Sequence, residues 1–364
     1  MTGIMKHELR RIAVKVGSNV LTRADGTPDV TRMSHLVDQM AALRKEGIEV
    51  ILISSGAVAS GRSEMKVDKK LDSVEQRQLF SAVGQAKLIN RYYELFRDHG
   101  ITVGQVLTTK ESLSTRRSYL NQKSCMAVML DNGVIPIVNE NDTIAVSELM
   151  FTDNDELSGL VATMMDVDML IILSNIDGIY DAPPSEAGAK VIATVNPGED
   201  ISQYISAAKS GFGRGGMRTK AGIAGKVAEE GIEVIIANGK RTDILLQLIH
   251  SPQTTPCTRF IPADTAVSSV KKWIAHSEGF AKGAIHIDKR ATEMVLSDRA
   301  VSILPVGVTA VDGEFEKDDI IRIVSHSGEV IGVGRTDYDS NKVKENIGKH
   351  GEKAVVHYDY LYIE

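Results

Sequence analysis

The chain reads as an α/β protein with a mostly parallel central sheet, followed by a small, mainly β domain. Three observations predict this. Near-continuous apolar runs recur through the first 250 or so positions, helical patterns separate them, and after His250 the texture changes to short strands and frequent turns. Apolar runs that alternate with helices mean βα units and a sheet covered on both faces.

The elements follow in order. Arg11–Val16 is the first strand, and it places Lys15 inside an apolar run, where a lysine is expensive to bury without an anionic partner. Thr31–Glu46 is helical and Glu49–Ser54 is the second strand. Ser54-Ser55-Gly56-Ala57-Val58-Ala59-Ser60-Gly61 is a small-residue turn running into a helix. Ser73–Arg97 is a long helix, Thr102–Leu107 a strand, Arg117–Asp131 a helix and Val134–Asn139 a strand. Asn139-Glu140-Asn141-Asp142-Thr143 follows that strand, and Phe151-Thr152-Asp153-Asn154-Asp155 opens the helix Asp155–Met165 with residues suited to cap it. Met169–Ser174 is a strand ending in Ser174-Asn175-Ile176-Asp177-Gly178. The stretch Ile201–Ser210 reads as helical, Thr219–Glu230 as a helix and Glu233–Ala237 as a strand.

Ser251-Pro-Gln-Thr-Thr-Pro256 reads as a turn or linker, which places a domain over 1–255, a linker over 256–280 and a second domain over 281–364. In that second domain Gly283–Ile287, Ala300–Leu304, Asp319–Val324 and Glu329–Arg335 are strand candidates. Asp312-Gly313 and Ser327-Gly328 are hairpin signals between them.

Composition bounds the function. With 364 residues, 43% of them apolar and 25% charged, the chain has the balance of an ordinary soluble globular protein and room for two cores. A net charge of -6 argues against non-specific nucleic-acid binding. Cys125 and Cys257 lie in no CxxC pattern, which fits a reducing compartment. The charged N-terminus is followed by an apolar run that Lys15 breaks within four residues, too short for the core of a signal peptide. No apolar stretch approaches the length of a membrane span. A soluble cytoplasmic protein without membrane contact is expected.

In parallel sheets ligands bind outside the carboxyl ends of the strands. Five such ends carry small, polar or acidic residues here. Two lysines stand beside glycine-rich turns: Lys15 in Ile12-Ala-Val-Lys-Val-Gly-Ser18 and Lys220 in Gly213-Arg-Gly-Gly-Met-Arg-Thr-Lys220. Each turn runs toward a helix, where backbone N–H groups collect around an anion. Paired cations with such loops are what a transferring phosphoryl group needs, because its charge spreads over several oxygens. The pattern G-x-x-x-x-G-K-[ST] is absent. Gly211-Phe-Gly213-Arg-Gly-Gly216 matches G-x-G-x-x-G in form, yet no strand precedes it and the next strand leads into Asn238 rather than an acid. No histidine pair has metal-ligand spacing, so Mg2+ carried by a nucleotide is expected and no metal-ligating side chain is assigned.

The stretches Val14-Lys-Val-Gly-Ser18, Ile53-Ser-Ser-Gly-Ala57, Val83-Gly-Gln85, Val138-Asn-Glu-Asn-Asp142, Asp153-Asn-Asp155 and Gly215-Gly-Met217 with Lys220 resemble the amino acid kinase family. Asn139–Asp142 together with Asp153–Asp155 is similar to its glutamate kinase branch. Gly313–Ile323 onward resembles a PUA domain. The resemblance implies an αβα sandwich and ATP-dependent phosphorylation of the glutamate side-chain carboxylate, the first step toward proline. By the same resemblance Asp155 organises Lys15 and Lys220, and the acceptor is bound by Ser55, Asn139, Asp142 and Asn154. The nucleotide falls to Lys15, Ser174, Asn175, Arg214, Gly215, Gly216, Met217, Arg218, Thr219 and Lys220. L-glutamate, ATP with Mg2+, proline as feedback inhibitor and a homo-oligomer (dimer or tetramer) are the partners implied.

Two departures from the family stand out: Ser174-Asn175 stands for its usual Thr-Asp, and Arg214 for the threonine between the loop glycines. The alternatives are a relative that phosphorylates N-acetylglutamate, aspartate, carbamate or uridylate, and an RNA-binding protein acting through its tail. From Ala281 to Glu364 there are 15 acidic and 11 basic residues, a net of -4, the wrong sign for phosphate binding. RNA binding by the tail is therefore not expected.

Overall fold

A computed structural model of the chain describes residues 9–67, 71–113, 115–145, 151, 153–184, 186, 188–204, 216–264, 273–274, 278–297 and 301–363. The chain divides into two compact units, Met1–Thr109 with Gln122–Ala266, and Lys110–Asn121 with Val267–Glu364.

The first unit is built on an eight-stranded sheet. In chain order its strands are β1 (Arg11–Val16), β2 (Glu49–Ser54), β3 (Val103–Thr108), β4 (Ile135–Glu140), β5 (Met169–Ser174), β6 (Thr194–Val195), β7 (Glu233–Asn238) and β8 (Cys257–Phe260). Their spatial order is β3-β4-β2-β1-β5-β7-β8-β6. Every pairing is parallel except β7 with β8. The central strands are buried along almost their whole length, which is why their sequences are continuous apolar runs rather than alternating ones. Helices α1 (Ser18–Leu21), α2 (Val30–Lys45), α3 (Ala57–Glu64), α4 (Ser73–Arg97), α5 (Arg116–Asp131), α6 (Asn154–Met164), α7 (Met217–Glu229) and α8 (Ile244–His250) connect these strands. Met33, Leu36, Val37, Met40 and Leu43 of α2 share one core with Ile12, Val14, Val50 and Leu52 of the sheet. These residues repeat at helical spacing in α2 and at alternate positions in β1 and β2.

Boundaries differ from the expected ones by a residue or two, the usual extent of fraying. One correction is larger. The linker expected over 256–280 contains β8, and its backbone pairs with both β7 and β6. Pro256 marks the beginning of a strand here rather than the end of a domain. Of the expected helix Ile201–Ser210, Ser202–Tyr204 is a 3-10 turn and 205–210 lie outside the described residues.

The second unit holds a five-stranded sheet of β9 (Gly283–Ile287), β10 (Val308–Gly313), β11 (Ile320–Val324), β12 (Val330–Thr336) and β13 (Val356–Ile363), in the order β10-β9-β11-β12-β13. Its short helices are α9 (Lys289–Val295) and α10 (Ser340–Asn346). Ile285, Ile287, Ile321, Ile323, Val343 and Leu361 fill its core. Ser327-Gly328 turns between the antiparallel β11 and β12 as expected, with Gly328 at φ +86°. Asp312-Gly313 does not form a hairpin: it ends β10, which pairs with β9. The strand expected at Ala300–Leu304 reduces, among the described residues, to a single bridge from Ile303 to Val356. Strands β10 and β13 were not foreseen because both lie at sheet edges and bury few residues, so neither carries a continuous apolar run. Lys110–Asn121 joins this unit through Tyr119, whose ring lies 6.3 Å from that of Trp273, and through Trp273 Nε1, which donates to the Leu113 carbonyl at 3.3 Å.

Candidate active site

Parallel register brings the ends of four central strands level. Val16 of β1 stands beside Ser54 of β2 and Leu173 of β5, and Ile53 of β2 stands beside Val138 of β4. The residues just beyond these positions therefore share one edge, and a cavity of about 870 Å³ opens there. Lys15, Gly17, Ser55, Asn139, Asp142, Asp153, Asn154, Asp155, Ser174, Asn175, Met217 and Lys220 line it.

At its floor one carboxylate holds two ammonium groups. Lys15 Nζ donates to Asp155 Oδ1 at 2.5 Å and Lys220 Nζ to Asp155 Oδ2 at 2.8 Å. Asp155 is 0% and Lys15 4% exposed, so the charges meet where water screens them least. Burial pushes the Asp155 carboxyl upward, and the two ammonium groups more than offset it, leaving it below the ordinary carboxylate range. The three residues come from β1, α6 and α7, and the structure brings together all three proposed catalytic groups.

Asp153, not Asn154 or Asp155, caps α6: its Oδ1 accepts from the backbone N–H groups of Asp155 and Glu156 at 2.8 and 3.1 Å. The cap places the next two side chains in the first turn of the helix, at the cavity wall. Burial and the Asp155 charge push the Asp153 carboxyl up to about 6, against the pull of Lys15. Its Oδ2 is buried and has no hydrogen-bond partner among the described residues.

The residues expected to bind the acceptor form a second cluster. Asn154 Nδ2 donates to Ser55 Oγ and to Asn139 Oδ1, both at 2.9 Å. Asn139 Nδ2 donates in turn to Gln85 Oε1 of α4 at 2.8 Å. Asp142 lines the cavity beside Arg77, whose Nε lies 3.4 Å from Asp142 Oδ1 and whose Nη2 donates to the Ala145 carbonyl at 2.7 Å. Gln78 holds the same loop through the Thr143 carbonyl at 2.9 Å. Sequence reasoning missed this set of α4 contacts. The signal was present, since Arg77, Ser81 and Gly84 recur at helical spacing on the buried face that also carries Phe80, Leu88, Tyr92 and Phe96.

Helix α3 begins at Ala57, two residues after Ser55, from Gly56 at φ +113°, a backbone conformation that favours glycine. Helices α3 and α4 touch through backbone: a Cβ on Gly84 would stand 1.8 Å from the Ala57 carbonyl oxygen, and one on Gly61 1.9 Å from that of Phe80.

Of the residues expected to bind the nucleotide, Ser174, Asn175 and Met217 line the cavity, and Gly216 is the N-cap residue of α7. Arg218 and Thr219 follow in the first turn of α7 and are not among the lining residues. Arg214 and Gly215 lie outside the described residues. Behind this wall Arg241 clamps Asp177 through two hydrogen bonds of 2.8 and 2.6 Å, and Asn238 donates to the same carboxylate at 3.0 Å, tying the end of β5 to that of β7. Among the described residues no group of three or more His, Cys, Asp or Glu has the arrangement of a metal centre, and no helix is long and apolar enough to cross a membrane.

Comparison with known proteins agrees with this geometry. Residues 10–238 match the amino acid kinase family and residues 283–358 the PUA domain. The chain is 71% identical to glutamate 5-kinase of Bacteroides thetaiotaomicron over 99% of its own length and 100% of that protein's. It is 48% identical to glutamate 5-kinase of Chlorobaculum tepidum over 97% of each. Among solved structures, carbamate kinase from Giardia lamblia bound to AMP-PNP superposes with a TM-score of 0.52 at 14% identity, covering 70% of this chain and 99% of that one, a likeness of fold alone. The chain is a member of the amino acid kinase family, with a PUA domain following its kinase part.

Proposed function

We propose that the chain transfers the γ-phosphoryl group of ATP to the side-chain carboxylate of L-glutamate, giving glutamyl 5-phosphate and ADP, the first step toward proline. The observation that carries this reading is Asp155 holding Lys15 and Lys220 together in a cavity at the carboxyl ends of parallel strands. Identity of 71% over the whole length of a glutamate 5-kinase supports the choice of acceptor.

The chemistry asks little of the protein beyond placement. A glutamate carboxylate, with a reference pKa of about 4.3, is ionised at neutral pH and needs no general base. It attacks the γ-phosphorus in line, the bond to the β–γ bridging oxygen breaks, and the electron pair leaves on ADP. Two anions must be held in contact while charge spreads over the transferring oxygens. Lys15 and Lys220 supply that neutralisation, and Asp155 keeps both aimed without neutralising either fully. Asp142 receives the α-ammonium of the acceptor: a carboxylate already beside Arg77 has lone pairs for a second cation. N-acetylglutamate lacks that charge and is disfavoured. The loop at Gly17 and the beginning of α7 provide backbone N–H groups for the nucleotide phosphates.

Mg2+ enters with the nucleotide. Of the cavity carboxylates Asp153 fits it, having a buried oxygen without a hydrogen-bond partner among the described residues. When bound, the ion offsets phosphate charge. Proline as inhibitor, a homo-oligomeric state and a cytoplasmic location belong to the same proposed reading.

The test is ADP release from MgATP with glutamate, N-acetylglutamate, aspartate, carbamate and uridylate as acceptors, with hydroxylamine present to trap acyl phosphates. Glutamate alone is expected to react, as the γ-hydroxamate. Preferential turnover of another acceptor would discard the acceptor assignment and keep the two lysines.

A further inference from the structure

We propose that Gln85 is a positioning residue that sets the hydrogen-bond polarity of the acceptor-binding cluster. The proposal rests on the glutamate reading above and adds to it a residue remote from the reacting atoms.

An Asn or Gln side chain has one accepting and one donating end, and a chain of them works only when every end meets its opposite. The Gln85 carbonyl oxygen accepts from the Asn139 amide nitrogen. That contact turns the Asn139 carbonyl toward Asn154, so Asn154 must meet it with its own N–H, as it does at 2.9 Å. The same amide nitrogen gives its other hydrogen to Ser55 Oγ. A hydroxyl that accepts keeps its own proton to give. Ser55 therefore stands at the cavity wall as a donor, which is what a carboxylate, an acceptor on both oxygens, requires. Reversing the first link would disturb each one after it. Asn139 is 3% exposed, and a buried amide left facing a like end costs more than an exposed one.

The fold fixes both ends of this chain. Gln85 follows Gly84, the residue whose Cα lies against the backbone of Ala57 and Gly61 in α3. Ser55 lies just before α3. The helix contact that holds Gln85 is thus the one that holds Ser55.

Three variants separate polarity from packing. Gln85→Glu keeps an accepting oxygen in place, Gln85→Met keeps the length without a polar end, and Gln85→Lys presents only donors. In steady-state assays with glutamate and MgATP, the Met and Lys variants are expected to raise the KM for glutamate about tenfold or more, as loss of a buried hydrogen bond implies. Their KM for ATP should be unchanged and their kcat much less affected. The Glu variant should stay within about threefold of wild type. A Met variant indistinguishable from wild type, or a Glu variant as impaired as Met, overturns the proposal. Thermal unfolding of each variant runs alongside; should Met fail to fold, the contrast between Glu and Lys decides. Wild-type turnover of glutamate is measured first. Its absence removes the acceptor reading and this proposal together, whereas normal wild-type turnover with insensitive variants removes the proposal alone.

Discussion

At the scale of single residues, the economy of the site lies in Asp155, one buried carboxylate that answers two ammonium groups. Asp155→Asn would remove the buried carboxylate to which both Lys15 and Lys220 are hydrogen-bonded. We expect a loss of about 3–5 kcal/mol, the cost of breaking a buried pair, read as a lower Tm, together with loss of turnover. Lys220→Ala acts differently. Its side chain is 12% exposed and the role proposed for it falls in the transition state, so kcat should drop about 10²–10³-fold with little change in the KM for glutamate. Near-normal kcat would remove Lys220 from the mechanism. Asp153 provides a pH signature. Its folded value of about 6 lies above the ordinary 3.8, so it favours the folded state in acid. That contribution is fully present below 3.8 and is lost as pH rises through 6. Asp155 has the opposite sign, contributing stability that is lost as pH falls below the ordinary carboxylate range. Asp153→Asn retains the capping oxygen and should remove the Asp153 dependence, with a gain on the order of 2 kcal/mol at pH 8 relative to acid. Urea unfolding of the ligand-free protein at pH 4 and pH 8 measures it; an unchanged difference between wild type and variant at the two values refutes the assignment.

At the scale of elements, α4 is the organiser whose buried polar residues the sequence reading passed over. It begins in a reciprocal capping box between Asp72 and Glu75 and then reaches Asp142, Ala145, Thr143 and Asn139 through Arg77, Gln78 and Gln85. Glycine at 84 lets it approach α3 at backbone distance. Gly84→Ala should force the two helices apart, at a cost of about 1–3 kcal/mol or more, and should raise the KM for glutamate more than that for ATP because Ser55 moves with α3. Equal effects on both substrates would show that α3 does not carry the acceptor side alone. Legibility differed between elements for a definite reason. Strands β1, β2 and β5 are buried on both faces and announce themselves as apolar runs. Strands β10 and β13 sit at edges, and the short β6 and β8 are held by pairing with distant backbone rather than by their own pattern.

At the scale of the whole molecule, the domain boundary moves. Because β8 completes the large sheet, a fragment ending at residue 264 should melt higher than one ending at 255, in which the β7 edge loses its partner. Equal Tm values would mean that β8 contributes nothing to the first unit. The segment Lys110–Asn121 grouping with residues after 266 has no sequence signature, since its contact is between Tyr119 and a tryptophan more than 150 positions away. The acidic balance of the tail predicts no RNA retardation at physiological salt, and a salt-sensitive shift in a gel assay would reverse that reading.

By itself the sequence determined the alternation of strands and helices, the placing of polar residues after the strands, and the identity of the charged groups. These are local properties, written in periodicity and residue type. Only the tertiary structure decided the distances at which Lys15 and Lys220 meet Asp155, that Asp153 is the cap of α6, and that α4 contacts the loop at Asp142–Ala145. Those facts depend on parallel register, which sets residues far apart in the chain at one level, and on the closeness that glycine permits between two helices. Neither distance nor hydrogen-bond direction is a property of any single stretch of chain.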